Sequence, residues 1–127
     1  MSIALFILDL HIIFFCNEQK SWADADLFCR AHSMRLVSIE SAEEQSALQQ
    51  VVPSTDYEAW WTSGSDEESE GHWTWTATGQ PFHYTNWGRK QPNGGTGENR
   101  LMLTRFDLHW HDWDGHYGYE YSICEAQ

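Results

Sequence analysis

Apolar and polar positions along this chain follow two rhythms, and the change between them falls near Pro53. Trp22, Ala25, Phe28, Cys29 and His32 recur at helical spacing, giving one stripe to bury. Ser21 stands before them as an N-cap, with Asp24 three residues on, close to a capping box. This predicts a first helix ending near Ser33. Leu36-Val37-Ser38-Ile39 reads as a short strand-like link. Ser41 and Glu44 form a second capping box, and Ala42, Gln45, Leu48 and Val52 set the inner face of a second helix, which Pro53 stops. Beyond it, Trp60-Trp61-Thr62 and His72–Thr76 read as strands on either side of an acidic turn. Gly79-Gln80-Pro81 turns the chain, and Phe82–Trp87 leads into a long loop. Leu101–Thr104, His109–Trp113 and Tyr119–Cys124 complete the strands. Helices followed by a run of antiparallel strands predict an α+β domain.

The N-terminus is apolar from Met1 to Leu8. It lacks a basic n-region, is interrupted by Asp9 and His11, and shows no clear cleavage site. It is too short to span a membrane. Ile12–Phe15 reads as the first strand of the domain, so residues 1–11 are either an added strand or a trimmed leader, and 12–127 are the domain.

Composition narrows the function. A formal net charge of −12 argues against nucleic acid and anionic membranes, because such a surface repels polyphosphate. Much of the acid lies in Asp66–Glu70, read here as a solvated loop. Eight Trp, five Tyr and six Phe suit a domain with long loops and a binding face. With three cysteines, Cys16, Cys29 and Cys124, at least one is unpaired within the chain.

The candidate chemistry lies between Trp87 and Cys124. A Gln91-Pro92-Asn93 turn, Glu98 and Asp112 pool side-chain oxygens from separate segments, as a hard cation such as Ca²⁺ requires. The plainer alternative is that residues 91–97 form only a flexible polar turn. His111 is a poor neighbour for Ca²⁺, since a neutral imidazole ligates it weakly and a protonated one repels it. His109, His111 and His116, with Asp112 and Asp114, form a second group with transition-metal character. His109 and His111 project to one side of their strand. No nucleophile, phosphate loop or zincin motif accompanies them, so an enzyme is not expected.

The landmarks SWADADLFC, LVSIES with its capped second helix, WWTSG, WTW, NW, QPN, WHD and ICE occur in this order. Together they resemble the C-type lectin domain family, and the WWTSGSDEESEGHWTW segment resembles its arthropod members in particular. The resemblance spans about Phe14 to Glu125. It implies two helices flanking antiparallel β-sheets with a long Ca²⁺- and sugar-binding loop. It further implies a bridge from Cys29 to Cys124, with Arg100 and Gly115 standing where a second bridge would have its cysteines, and Cys16 left spare. A primary Ca²⁺ would take Gln91, Asn93, Glu98 and Asp112, with sugar hydroxyls shared among these residues and His111, which replaces the family's Asn. The peptide before Pro92 would be cis. Gln-Pro-Asn lies between the mannose-type and galactose-type patterns. An auxiliary Ca²⁺ would use Ser38, Glu40, Glu44 and Glu125, unless Glu44 only caps its helix and Glu40 and Glu125 face solvent. Trp110 reads as core and Trp113 as a rim aromatic suited to stacking on a sugar. The implied partner is a glycan or glycoprotein, and the implied location is extracellular. The alternative is a lectin-like domain whose metal site has degenerated and which binds a protein partner.

Overall fold

The computed structural model describes residues 2–8, 11–52, 59–104, 107–115 and 118–126. Pro53 and His116 lie outside them. Helix α1 runs Trp22–Ala31 and α2 runs Ala42–Val51. Both start where their caps place them. Ser21 Oγ accepts from the Asp24 N–H at 3.2 Å, and Ser41 Oγ accepts from the Glu44 N–H at 3.1 Å, which satisfies donors a helix start leaves open. The stripe on α1 is shorter than its periodicity suggested. Trp22, Ala25 and Cys29 are buried, but Phe28 is half-buried and His32 exposed. His32 is the C-cap, and its ring bonds the Phe28 carbonyl at 2.9 Å, so it closes the helix without entering the core. On α2, Gln45 and Leu48 are buried while Ala42 is exposed.

Among the described residues, nine strands connect through one hydrogen-bonded network: β1 Ser2–Leu8, β2 His11–Lys20, β3 Met34–Leu36, β4 Ala59–Ser65, β5 Thr74–Trp75, β6 Gln80–Pro81, β7 Arg100–Thr104, β8 Trp110–Trp113 and β9 Glu120–Ala126. The backbone of residues 2–8 pairs antiparallel with β2. β9 lies between β2 and β4 and also pairs with β3. Its pairing with β4 is parallel, Trp60 opposite Tyr121 and Trp61 opposite Ser122, while the other described strand pairs are antiparallel and an isolated parallel bridge joins Trp87 to Trp110. The expected strand-like link is displaced by two residues. Its strand is Met34–Leu36, and residues 37–39 are a buried connection pinned by the Val37 N–H on the Ile123 carbonyl at 2.9 Å.

β4 is buried at every position, and the alternation of a strand explains how. Trp60 enters a cluster with Phe15, Leu48, Leu103, Trp110 and Ile123. Its neighbour Trp61 enters a second cluster with Trp22, Cys29, Leu36, Met102 and Cys124. Three of the buried rings have their polar ends paired: Trp22 Nε1 donates to the Thr62 carbonyl, Trp61 Nε1 to the Lys20 carbonyl (both 2.8 Å), and Trp110 Nε1 to Gln45 Oε1 at 2.9 Å, whereas Nε1 of Trp73 and of Trp75 is buried without a partner. That last bond explains why a glutamine belongs on the inner face of α2. Cys29 and Cys124 are bonded, joining α1 to β9, and Cys16 is a buried free thiol.

Candidate functional site

β8 positions the site. Asp112, 3% exposed, lies opposite Leu101 of β7. Its carboxylate reaches across to the long loop and accepts from two successive N–H groups, Asn93 to Oδ1 at 3.0 Å and Gly94 to Oδ2 at 2.7 Å. Bonds to a charged acceptor are the stronger kind. One buried side chain therefore holds the Gln91-Pro92-Asn93 turn, in which the Gln91–Pro92 peptide is cis. A 3₁₀ turn at Gly95–Gly97 then brings Glu98 back over the loop. The Glu98 side chain fills the space a Cβ on Gly94 would need, so residue 94 must be glycine for the loop to close this tightly.

The charge balance at this point is one-sided. The Glu98 carboxyl is pushed above the usual carboxylate range by partial burial, and further by Asp112 and Asp114 nearby. Gln91 Oε1 is buried without a hydrogen-bond partner. A buried carbonyl oxygen left unpaired is costly, and the like charges of Asp112 and Asp114 beside Glu98 add repulsion. The donors gathered here are amide and carboxylate oxygens, a hard set that suits Ca²⁺ or Mg²⁺ and not a soft metal. Asn93 is exposed, its side chain outside the fixed part of the turn.

His111 lies half-buried between Trp110 and Asp112, on the opposite side of β8 from both by strand alternation. Its Nε2 lies 2.7 Å from where a Gly88 Cβ would be, and His109 Cβ is 3.5 Å from the same point. The two histidines thus share a side of the chain, against Gly88. Burial lowers the His111 pKa, Asp112 opposes this, and His109 adds to the lowering. The lowering favours the neutral ring. Among the described residues no three His, Cys, Asp or Glu side chains form a group that could hold a metal ion. Any cation at the loop would therefore rely on mixed amide and carboxylate donors.

The auxiliary set is partly gathered. Glu125, 5% exposed, accepts from the Ser38 N–H at a long 3.5 Å, and Glu44 Oε1 accepts from the Glu40 N–H at 3.1 Å. Two carboxylates thus face the ends of the 38–40 segment. Ser38 Oγ is bonded to Ser63 Oγ at 2.9 Å, and Glu40 is exposed.

Charge-run reasoning missed Asp66. It is 3% exposed, not solvated. Its Oδ2 accepts from the Gly71 N–H at 2.9 Å, while Oδ1 is buried without a partner. Its own N–H donates to the Asn99 carbonyl at 3.2 Å, joining the acidic turn to the long loop. Glu70 is raised by desolvation, then by Asp66, and more weakly by Asp112. The available signal was positional. Asp66 follows a strand directly and precedes Gly71 by five residues, the geometry of a carboxylate capping its own turn.

Residues 18–126 match the family model of the Lectin C-type domain, and the chain belongs to that family. It is 29% identical over 123 residues to the C-type lectin mosGCTL-7 of Aedes aegypti, covering 90% of this chain and 82% of that protein. It is 35% identical over 84 residues to C-type lectin domain family 4 member F of Rattus norvegicus, covering 63% of this chain and 14% of that protein's length. Among solved structures, the mouse scavenger receptor C-type lectin carbohydrate-recognition domain superposes with a TM-score of 0.87 at 30% identity, covering 97% of this chain and 93% of that one. The fold is therefore that of a C-type lectin domain, a family of non-enzymatic carbohydrate-binding proteins whose members usually bind Ca²⁺.

Proposed function

We propose that this chain binds sugar hydroxyls through a Ca²⁺ held at the long loop by Gln91, Asn93, Glu98 and Asp112. The observation that carries the reading is the unpaired, buried Oε1 of Gln91 in the turn that Asp112 fixes. A bound Ca²⁺ would supply positive charge and open coordination positions for two vicinal hydroxyls. The chain's own residues do the rest. Asp112 sets the loop, Glu98 and the two amides offer acceptors, and His111 in its neutral form offers one ring N–H or one ring acceptor. The Cys29–Cys124 bridge supports an extracellular setting, since bridges persist in oxidising compartments. A glycan array probed with Ca²⁺ and again with EDTA tests the proposal and reads out mannose-type against galactose-type preference. Binding that EDTA leaves intact would give the site to a protein partner instead. The poor ligand His111 is the observation favouring that second reading.

His111 makes the proposal pH-sensitive. A protonated imidazole beside the loop opposes a cation, and its lowered pKa places that protonation below the ordinary value of about 6.5. Sugar binding should therefore hold at pH 7 and fall only below about 6.5. The unfolded chain takes up this proton first, so stability is also lost as pH falls through the same window. His111→Asn should flatten both dependences and strengthen Ca²⁺ affinity on the order of tenfold, equivalent to about 1.4 kcal/mol. Calorimetric titration between pH 5 and 8 checks this, and an unchanged profile would remove His111 from the site.

The same proposal extends to an auxiliary Ca²⁺ at Ser38, Glu40, Glu44 and Glu125, supported by the two carboxylates that face the 38–40 segment. Glu44→Ala removes the acceptor of the Glu40 N–H under all conditions and leaves the Ser41 cap in place. It should lower the melting temperature more in Ca²⁺ than in EDTA, because an ion bound only to the folded state adds stability by mass action. Equal losses in the two buffers would leave Glu44 as a cap alone.

A further inference from the structure

We infer that Arg100 is a positioning residue for the long-loop site, a latch that sets its cation affinity without touching the ligand; the ligand itself rests on the function proposed above. Arg100 opens β7 directly after Glu98-Asn99, so its backbone is the exit of the long loop. Its side chain runs back across three other segments. The guanidinium lies over the Trp22 ring, 3.8 Å from carbon to centroid. Nη1 donates to Ser65 Oγ at 2.9 Å, at the end of β4, and Nη2 pairs with the Glu67 carboxylate on the acidic turn. The aliphatic stem passes Gly115, with Cγ 2.5 Å from where a Cβ on that residue would be, and the Gly115 carbonyl accepts from the Trp22 N–H at 3.3 Å. One side chain thereby joins the start of α1, the acidic turn, the loop exit and the turn after β8.

The contacts differ in strength. The Glu67 side chain is 50% exposed and that of Arg100 is 19% exposed, so water and salt screen their pair. Trp22 is 8% exposed, and a guanidinium stacked on a dry ring keeps its attraction. The planar stack and the Ser65 bond therefore do most of the holding, and lysine cannot reproduce them. The site depends on this hold because Glu98 stands two residues away, its side chain folded into the space a Cβ on Gly94 would need, in the turn that Asp112 fixes. Released from the latch, the loop exit would let Glu98 leave that position and take its carboxylate away from the donors a cation needs.

The test measures Ca²⁺ affinity by calorimetry and amide exchange of residues 91–99 in EDTA on the whole chain. Arg100→Ala should stay folded in EDTA, lose about tenfold or more in Ca²⁺ affinity, as loss of outer support to a metal site does, and exchange faster across 91–99. Arg100→Lys should behave almost as Arg100→Ala, and Glu67→Gln should stay near the wild type. Arg100→Cys combined with Gly115→Cys places two thiols where the stem now crosses residue 115. Once oxidised, it should return affinity and exchange toward the wild type, showing that position and not charge is what Arg100 contributes. Wild-type affinity and exchange in Arg100→Ala would overturn the inference, as would an oxidised double variant that binds no better than Arg100→Ala. If Arg100→Ala does not fold, Arg100→Lys and the oxidised double variant decide by the same two readouts. If the wild type takes up no Ca²⁺, the proposed function fails, and the latch is judged on exchange in EDTA alone.

Discussion

Replacing Cys29 and Cys124 together by serine should lower the free energy of unfolding by about 4–5 kcal/mol, the chain-entropy value for a loop of this size. The two residues are 95 apart in sequence, so the bridge removes a large share of the open chain's freedom. Both sulfurs belong to a fully buried cluster with Leu36 and Trp61, and hydroxyls placed there would add a burial cost on top. Domains of this size are stable by only about 5–15 kcal/mol, so the double variant should be close to unfolding at 37 °C. Denaturant melts with an unchanged m value check this, and a loss under about 1 kcal/mol would mean that the clusters hold α1 to β9 without the bridge. Cys16 is buried in β2 and is no substitute partner.

The helices were legible because their information is local. Ser21 and Ser41 signal their starts within four residues, and the structure uses both as caps. Strand positions were legible for a similar reason, Trp60-Trp61-Thr62 marking the strand that runs Ala59–Ser65, though not its burial on both faces. The partner of that strand was not. The parallel pairing of β4 with β9 joins residues some sixty apart, and side-chain period carries no information about which strand lies alongside. The order of landmarks supplied the topology through family resemblance instead.

Much of the site was harder to read for the same reason of range. Residue type singled out Gln91, Asn93, Glu98 and Asp112 as candidates, but could not tell that Asp112 accepts from two loop N–H groups, one on each oxygen. Asp66 stood in a run of five polar residues, four of them acidic, and composition made it look solvated. Its burial follows from Asn99 on a distant loop. Arg100 read only as a missing cysteine. Its roles come from Trp22, Ser65 and Glu67, three partners that no spacing rule brings together.

Asp112→Asn should be the most damaging change at the site, lowering Ca²⁺ affinity by about 100-fold or more and abolishing sugar binding. The substitution keeps the shape and removes the charge. It also presents an NH₂ donor to one of two N–H donors, so either Asn93 or Gly94 loses its acceptor. Hydrogen bonds to a charged group are worth about 1.5–3 kcal/mol, so loop amides 93 and 94 should exchange faster even in EDTA. A second effect has the opposite sign. Asp112 helps to raise the Glu98 pKa, and a raised carboxyl supports the fold fully only below its unfolded pKa. That support is lost as pH rises through the folded value, where Glu98 ionises against Asp112 and Asp114. Without Ca²⁺ the wild type should therefore lose stability across that window, and Ca²⁺ should restore it, so the gain in melting temperature on adding Ca²⁺ should grow with pH. In Asp112→Asn the loss without Ca²⁺ should shrink and the gain with Ca²⁺ should vanish. Melting curves from pH 4 to 8, with and without Ca²⁺, separate the two effects. A variant that keeps the wild-type Ca²⁺ increment would show that Asp112 shapes the loop but does not serve the ion.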